Sequence, residues 1–587
     1  MKSILSPLLP ILLQENVNGD PRLIRSATYL LIIVLVAIAF GGSLHNGFIW
    51  DDETFIVNNK YVHDISHWKE YFTTAKSISD DPILSRMYRP VQTVSFALDA
   101  LLWRNNAGGY HFSSLILHCA CCAALIFAFR ILIGIKPAIV SAIIFAVHPA
   151  LSEGVLSLAA RGNQLYTLFS LLSIGFFIRT GRLFDRNHII SLIMLTLALF
   201  SKEPAISLIV LLPVLQTAFK LPWEFKTRRT ICLYVPFVLT AILFLYARAK
   251  VVDTASFEPY WGGSLWSTLQ MQMKVFVIYL SLLAWPFSLQ GRYAITPPAA
   301  FPDLRVIGAI ALNLVIILLG IAAYRKGPKG RFFALAVAWF YISLLPVSNI
   351  IPIPGSMMGE RFIYFTFAGM IPFIAAAEGF LLQRHKVIFS LCTIILLSTW
   401  MVADIARTPV WRDSRSFFTL LSRQDPTDGV VQLKMAQEEF ASNDISSALT
   451  RLEHILQSKP GPYFYQVHYW YARSLLAANR PAEAYREFKA TAELIGDTPV
   501  DLVLFLAEAA TRTGDFKGAF SLLQEELTKS PYDDQVWNAL GNVYVLTANF
   551  SAAISCYKYA LRISPGNTEA ASNLQTALRK ELPAKTR

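Results

Sequence analysis

The sequence predicts an all-α protein in two parts: a polytopic helical bundle in a membrane, and behind it a soluble solenoid of helix pairs. Three observations carry this expectation. Of 587 residues, 54% are hydrophobic and 16% charged, with a mean hydropathy of +0.44, whereas soluble domains carry about 25% charged residues. The apolar residues stand in blocks, and the last third of the chain lacks them. In that last third, Pro531 and Pro565 bracket a period of 34 residues, the spacing of a repeated helical hairpin.

Apolar blocks recur at 26–44, 111–133, 137–150, 163–178, 188–201, 204–219, 230–247, 266–287, 304–323, 332–350, 362–382 and 387–404. Several are shorter than the ~20 residues of a full span. Pairs such as 188–201 and 204–219, parted by a tight polar turn, predict short tilted helices. Residues 1–25 read as a cytoplasmic N-terminus. Arg22 and Arg25 precede the first block without a cleavage site, so that block reads as an uncleaved signal anchor.

Basic clusters orient the blocks. With the N-terminus cytoplasmic, Arg130/Lys136, Arg179/Arg182/Arg186 and Lys220/Lys226/Arg228/Arg229 fall on the cytoplasmic side by alternation. Arg325/Lys326/Lys329/Arg331 and Arg384/His385/Lys386 do so only if one block does not cross. The block 266–287, with Gln270, Gln272 and Lys274, is the expected exception, re-entrant or lying on the outer surface. That leaves 11 crossings and places the first loop, 45–110, and the C-terminal repeats outside. The formal charge of +12 lies largely in such short loops, so it marks topology and not a nucleic-acid partner. Five of the six cysteines lie in apolar segments, and no spacing with histidine suggests zinc or a disulfide framework. Within the first loop, Ile65, Trp68 and Phe72 share a helical face, as do Val91, Val94, Leu98 and Leu101. Interfacial helices and packing against the bundle both use this pattern.

The loop opens on Asn46-Gly47-Phe48-Ile49-Trp50-Asp51-Asp52-Glu53. A carboxylate there is either a solvated loop acid or a general base where a lipid-linked substrate meets a water-soluble one. Ionisable groups near membrane depth are costly and point to function. His111 and His118 bracket the start of the second span. His148 and Glu153 end the third, and Arg161 opens the fourth. Lys202 and Glu203 break a helix pair, and Glu360-Arg361 opens a late span. On the predicted topology all share the outer face with Asp51 and Asp52. Each alone reads as a local ion pair or cap. As a set they describe a polar cavity with acids for a hydroxyl proton and cations for a phosphate.

The ordered series resembles a family. Asn46-Gly47-Phe48-Ile49-Trp50-Asp51-Asp52, Tyr88-Arg89-Pro90 with Ser95-Phe96, and Tyr110-His111 with His118 are similar to motifs of the transmembrane O-mannosyltransferases with tetratricopeptide repeats. Phe145-Ala146-Val147-His148-Pro149 with Glu153 and Arg161, Phe200-Ser201-Lys202-Glu203, and Glu360-Arg361 with Tyr364 continue it in order. The chain departs from the family in having Gly359 before the late Glu-Arg pair and Ser114 three residues after His111. The resemblance implies a GT-C glycosyltransferase fold over 26–405, a catalytic acid in the first outer loop and a polyprenyl-phosphate-linked sugar, mannose, as donor. The short loops point to a bacterial member, with the repeats periplasmic at the inner membrane; in a eukaryote they would be lumenal at the endoplasmic reticulum.

A linker over 406–428 leads to the repeats, 429–587. Trp537-x-x-Leu540-Gly541-x-x-Tyr544 with Ala552, Tyr557 and Ala560 is a tetratricopeptide pattern. Weaker copies carry Ala507, Gly514-Asp515 and Ala519; Tyr469, Ala472 and Ala484; and Ala436, Asn443-Asp444 and Ala448. Four helix pairs and a capping helix are expected, with a protein acceptor engaged by the array. The aromatic run from Tyr463 to Tyr471 fits core packing equally.

The expected function is therefore transfer of a sugar from a lipid-phosphate donor to a protein hydroxyl. Asp51 or Asp52 is the base and the attack inverts. Arg89, Arg161, Lys202 and Arg361 hold the phosphate; Glu53, His111, His118, His148, Glu153, Glu203 and Glu360 are further site candidates. No motif requires a cofactor, and metal dependence at Asp51-Asp52-Glu53 stays open. The competing readings are a non-enzymatic membrane scaffold with recruiting repeats, a GT-C enzyme acting on a lipid or polysaccharide, and a transporter of lipid-linked sugars.

Overall fold

A computed structural model describes residues 21–79, 87–219, 228–252, 260–297, 303–353, 356–378, 386–457, 464–496 and 498–584. The chain divides into two compact units, Met1–Phe417 and Phe418–Arg587. Among the described residues every regular element is helical.

In the first unit, seven described helices are long and apolar enough to cross a membrane, or eight if one bent pair counts as a span. The chain is a multi-pass membrane protein. The expected count of 11 relied on short blocks. Two of those, Arg186–Ser201 and Glu203–Phe219, are short apolar helices. Leu265–Ala284, expected to be re-entrant, is one continuous helix of 20 residues and passes the same length and composition test.

Proline sets the breaks that matter. Ile135–Ala146 and Pro149–Leu156 meet at 65°, because Pro149 lacks the N–H that would continue the helix. Pro204 does the same after Lys202, whose extended backbone (φ −164°, ψ 139°) ends the helix Arg186–Ser201. Pro90 begins the helix Pro90–Trp103, where its missing N–H costs nothing. At all three breaks a charged side chain lies within a few residues.

Polar contacts bind the spans together. Ser173 and Ser191 exchange hydroxyl-to-carbonyl hydrogen bonds of 2.9 and 2.7 Å between the helices Arg161–Ile178 and Arg186–Ser201. Such pairs favour association of helices in lipid, where water offers no alternative partner. Gly162 allows a close approach beneath the site: a Cβ there would stand 2.4 Å from Gln92 Oε1 and 3.3 Å from the Ser201 carbonyl oxygen. In the first loop Ile65, Trp68 and Phe72 are exposed, as are Leu98 and Leu101. The opposite face of Pro90–Trp103, with Phe96, Ala97 and Ala100, is buried. The open apolar side chains are those an interfacial helix would present to lipid.

The second unit is a solenoid of antiparallel helices. Gly429–Ala441 pairs with Ile445–Gln457, Phe464–Ala477 with Pro481–Ile495, Val500–Thr513 with Phe516–Lys529, and Asp534–Leu546 with Phe550–Ile563; Thr568–Ala584 follows. Each pair turns through one residue of positive φ: Asn443, Asn479, Gly514 and Ala548. Glycine and asparagine suit that conformation, whereas Ala548 holds it at the cost of strain. Small residues set the packing distance, and a Cβ on Gly541 would meet the Tyr557 ring at 2.5 Å. The aromatic side chains from Phe464 onward serve the core: Tyr469 and Phe488 pack with Phe505, and the Arg473 guanidinium lies over the rings of Phe440, Trp470 and Phe505. Tyr463 lies outside the described residues.

Candidate active site

The acid loop is held in a strained turn. Trp50 has φ +50°, a conformation rare for a bulky side chain and one that costs backbone strain. Its ring packs on Phe417 at 5.7 Å. A single π-helical turn, Glu53–Val57, follows; such turns also concentrate at functional sites.

This turn separates two neighbouring acids. Asp52 is buried, and both of its oxygens are taken by backbone. Oδ2 accepts from Ile49 N at 3.1 Å and Oδ1 from Ala159 N at 2.7 Å. It ties the acid loop to the turn before Arg161. Burial raises its pKa to about 7, against the pull of those two N–H groups. Asp51 is half-buried. Burial works against the Arg361 guanidinium, but the charges of Glu153 and Asp51 outweigh it and hold Arg361 above its usual range. Asp51 thus lies within electrostatic reach of Arg361, while Asp52 is tied to the scaffold. Glu53 is exposed.

Four distant parts of the chain supply the cations and their counter-ions. Arg89 has no capping bond to its own helix and instead donates from Nε to Glu203 at 3.3 Å. The Lys202 ammonium donates to Asn163 Oδ1 at 2.8 Å and lies 5.1 Å from the Phe362 ring centroid. Arg361 pairs with Glu153, whose other oxygen accepts from Arg361 N at 2.8 Å. Lys202 lies within electrostatic reach of Arg89, Arg361, Glu203 and Glu153. The Arg361 side chain is 26% exposed and Arg89 13%, while Glu153 is 3% exposed. Arg361 and Glu203, the latter 28% exposed, therefore form the open edge of the cluster, while Lys202 and Glu153 lie beneath it.

Arg161 stands elsewhere. It is 1% exposed, pairs with Asp99, donates to the Tyr110 carbonyl at 2.8 Å and to Ser114 Oγ at 3.3 Å, and stacks on Phe96 at 4.8 Å. Ser114, a departure from the family pattern, thus serves as its hydrogen-bond acceptor. Glu360 is also enclosed, accepting from Gln290 N at 2.8 Å, from the Tyr293 hydroxyl at 2.6 Å and from Arg407 at 2.6 Å. The three histidines tie separate chain segments together. A carbonyl only accepts, so His118 Nε2–H donates to Ala146 O at 3.2 Å and its Nδ1 accepts from the Tyr364 hydroxyl at 2.5 Å. His148 donates to Leu283 O at 3.2 Å, and His111 to Gly47 O at 3.4 Å. Among the described residues no three His, Cys, Asp or Glu side chains gather as a metal set.

Sequence reading missed Asp99, Asn163, Tyr293 and Arg407. Asp99 carried a signal, a lone acid on the buried face of an otherwise apolar helix. Arg407 carried another, a basic residue ending the last span. Tyr293 lies in an irregular loop with no periodicity to mark it.

The Asp52 geometry predicts a pH effect. Its folded value of about 7 lies above the model-peptide value of 3.8, so the native state holds a proton that the unfolded chain has lost between those limits. This contribution to stability is full below about pH 4 and is lost as pH rises through 7. The stability difference between wild type and Asp52→Asn, followed by melting from pH 4 to 8, should narrow as pH rises. A difference independent of pH would contradict the assignment.

Fold and site together define a multi-pass membrane protein with an acid and a set of cations gathered at helix breaks, joined to a tetratricopeptide solenoid. A family model described as tetratricopeptide repeat matches residues 433–495. The chain is 25% identical over 425 residues to Protein O-mannosyl-transferase F38B6.6 of Caenorhabditis elegans, covering 70% of this chain and 59% of the relative. It is 24% identical over 452 residues to Protein O-mannosyl-transferase TMTC4 of Mus musculus, covering 66% and 61%. To TMTC3 of Mus musculus it is 21% identical over 428 residues, covering 66% and 46%. The resemblance read from the acid loop and the motifs after it is borne out by these similarities, and the chain spans about half to three-fifths of these relatives' length.

Proposed function

We propose that this chain is a membrane glycosyltransferase of the GT-C type that moves a sugar, mannose, from a polyprenyl-phosphate carrier to a hydroxyl group of a protein on the non-cytoplasmic side. The observation that carries this reading is the partly buried cluster in which Arg361 pairs with Glu153, Arg89 with Glu203 and Lys202 with Asn163, with Asp51 within electrostatic reach of Arg361. Asp51 takes the proton of the acceptor hydroxyl as its oxygen attacks the anomeric carbon. The bond from that carbon to the phosphate oxygen breaks, and the electron pair leaves with the polyprenyl phosphate. Lys202, Arg361 and Arg89 stabilise the charge that develops there. One displacement inverts the anomeric centre. Asp52 acts as a positioning residue, fixing the turn that presents Asp51. Arg161 and Asp99 form a buried pair that binds the helix Pro90–Trp103 to the start of Arg161–Ile178.

The test is transfer of radiolabelled mannose from polyprenyl-phosphate mannose to protein by the purified full chain. Lys202→Met should lower turnover by about 10²-fold, the loss typical of one preorganised donor to a developing anion. Full activity in Lys202→Met would count against the cationic cluster as the phosphate site.

The repeats are proposed to take the protein acceptor, because such arrays present an extended surface to partners. Truncation after Val431 should impair transfer to a folded protein acceptor at least tenfold more than transfer to a short peptide, since tethering raises local acceptor concentration into about the millimolar range. Equal loss on both acceptors would instead give the repeats a stabilising role.

A further inference from the structure

A second site lies on the first unit, away from the acids. The helices Leu208–Phe219, Leu304–Tyr324 and Pro328–Leu344 line an open groove of about 700 Å³. Its walls are apolar, with Val214, Ile317, Leu335 and Ala338 among them, and Ile321 on its rim is 54% exposed. Small residues keep it open: a Cβ on Gly320 would already touch Val337 at 3.3 Å. Pro213 interrupts the backbone ladder of one wall. A smaller adjoining cavity shares Ala218 and Leu335 and reaches Arg331.

Tyr324 and Arg325 line the main groove where its two later helices end. The Arg331 guanidinium lies over the Tyr324 ring at 5.7 Å, and its Nε is a buried donor without a hydrogen-bond partner among the described residues. Buried donors are almost always satisfied, so this one calls for an acceptor. The connecting segment from Arg325 to Arg331 carries four cations and no acid.

We propose that this groove binds an anionic phospholipid of the surrounding bilayer, with an acyl chain against Val214, Leu335 and Ala338 and the headgroup phosphate at Arg325 and Arg331. Basic pockets between membrane helices at the bilayer surface recognise such headgroups by charge, and a guanidinium offers phosphate two parallel N–H groups. The wall begins at Pro213, 11 residues beyond Lys202, and Arg89, Lys202 and Arg361 are not among its lining residues. The site is therefore separate from the cations assigned to the sugar donor, and it rests only on the membrane reading of the chain.

Native mass spectrometry of the full chain, released from detergent, tests it with phosphatidylglycerol and phosphatidylcholine of identical acyl chains. Wild type should take up phosphatidylglycerol at concentrations at least tenfold lower than phosphatidylcholine. Arg325→Ala with Arg331→Ala should abolish that preference, and Arg325→Lys with Arg331→Lys should retain most of it. Ala338→Trp, which fills the groove, should weaken both lipids at least tenfold; if that variant fails to fold, the two arginine pairs decide alone. Equal uptake of the two lipids by wild type would overturn the proposal, as would a preference that survives the alanine pair. Stoichiometric displacement of phosphatidylglycerol by polyprenyl phosphate would also overturn it and give the groove to the donor.

Discussion

Asp51→Asn should lower sugar transfer by about 10²–10⁴-fold, the usual cost of losing a positioned general base, while melting temperature stays near that of wild type. Asp51 is half-buried and within electrostatic reach of Arg361. Asparagine keeps its size and cannot take a proton from the acceptor hydroxyl. Asp52→Asn should act differently. Ile49 N and Ala159 N each need an acceptor, and an asparagine amide presents only one oxygen. One buried N–H would face an NH₂ group, a loss of about 1–3 kcal/mol in stability. Turnover measured on the folded fraction of Asp52→Asn should fall less than in Asp51→Asn. Transfer rate and thermal melting, taken on both variants, check this. Near-normal turnover in Asp51→Asn with a collapse in Asp52→Asn would move the base by one residue, and near-normal turnover in both would remove the acid loop from the chemistry.

Asp99→Leu should destabilise the first unit by about 3–5 kcal/mol, because it strands the Arg161 charge in the interior. Arg161 is 1% exposed, and its remaining partners, the Tyr110 carbonyl and Ser114 Oγ, carry no full charge. The double change Asp99→Leu with Arg161→Met should recover most of that loss, since an apolar pair of similar volume often replaces a buried ion pair at little cost. Chemical denaturation of the three variants gives the coupling energy. The double variant should also keep measurable donor binding, which separates Arg161 from Lys202 and Arg361. Loss of donor binding in a stably folded double variant would restore Arg161 to the phosphate site.

The order of helices along the chain was legible because it depends on local pattern. Apolar blocks report spans through composition alone, and the repeats announce themselves through Trp537, Leu540, Gly541, Tyr544 and the prolines at Pro531 and Pro565. The breaks at Pro149 and Pro204 were legible for the same reason, since a missing N–H acts on its own helix. Continuity at Leu265–Ala284 was not. Gln270 and Gln272 suggested a surface segment, yet both are buried, and polar side chains inside a bundle cannot be told from exposed ones by hydropathy.

Within the candidate site, the sequence by itself determined which residue types stand near helix ends: the acids of the first loop, Arg89 before Pro90, Lys202 before Pro204, and the late Glu360-Arg361. Only the tertiary structure decided how they divide. Asp51 and Asp52 are adjacent and chemically identical, and they part because the Asp52 carboxylate is buried on the backbone of Ile49 and Ala159 while Asp51 is half-buried within electrostatic reach of Arg361. Arg161 and Arg361 likewise differ by partner, the first enclosed with Asp99 and the second on the open edge with Glu153. The pairings Arg161–Asp99, Arg361–Glu153 and Arg89–Glu203 join residues 62, 208 and 114 positions apart. Periodicity acts over a few turns of one helix, whereas an ion pair forms wherever packing brings two chain segments together.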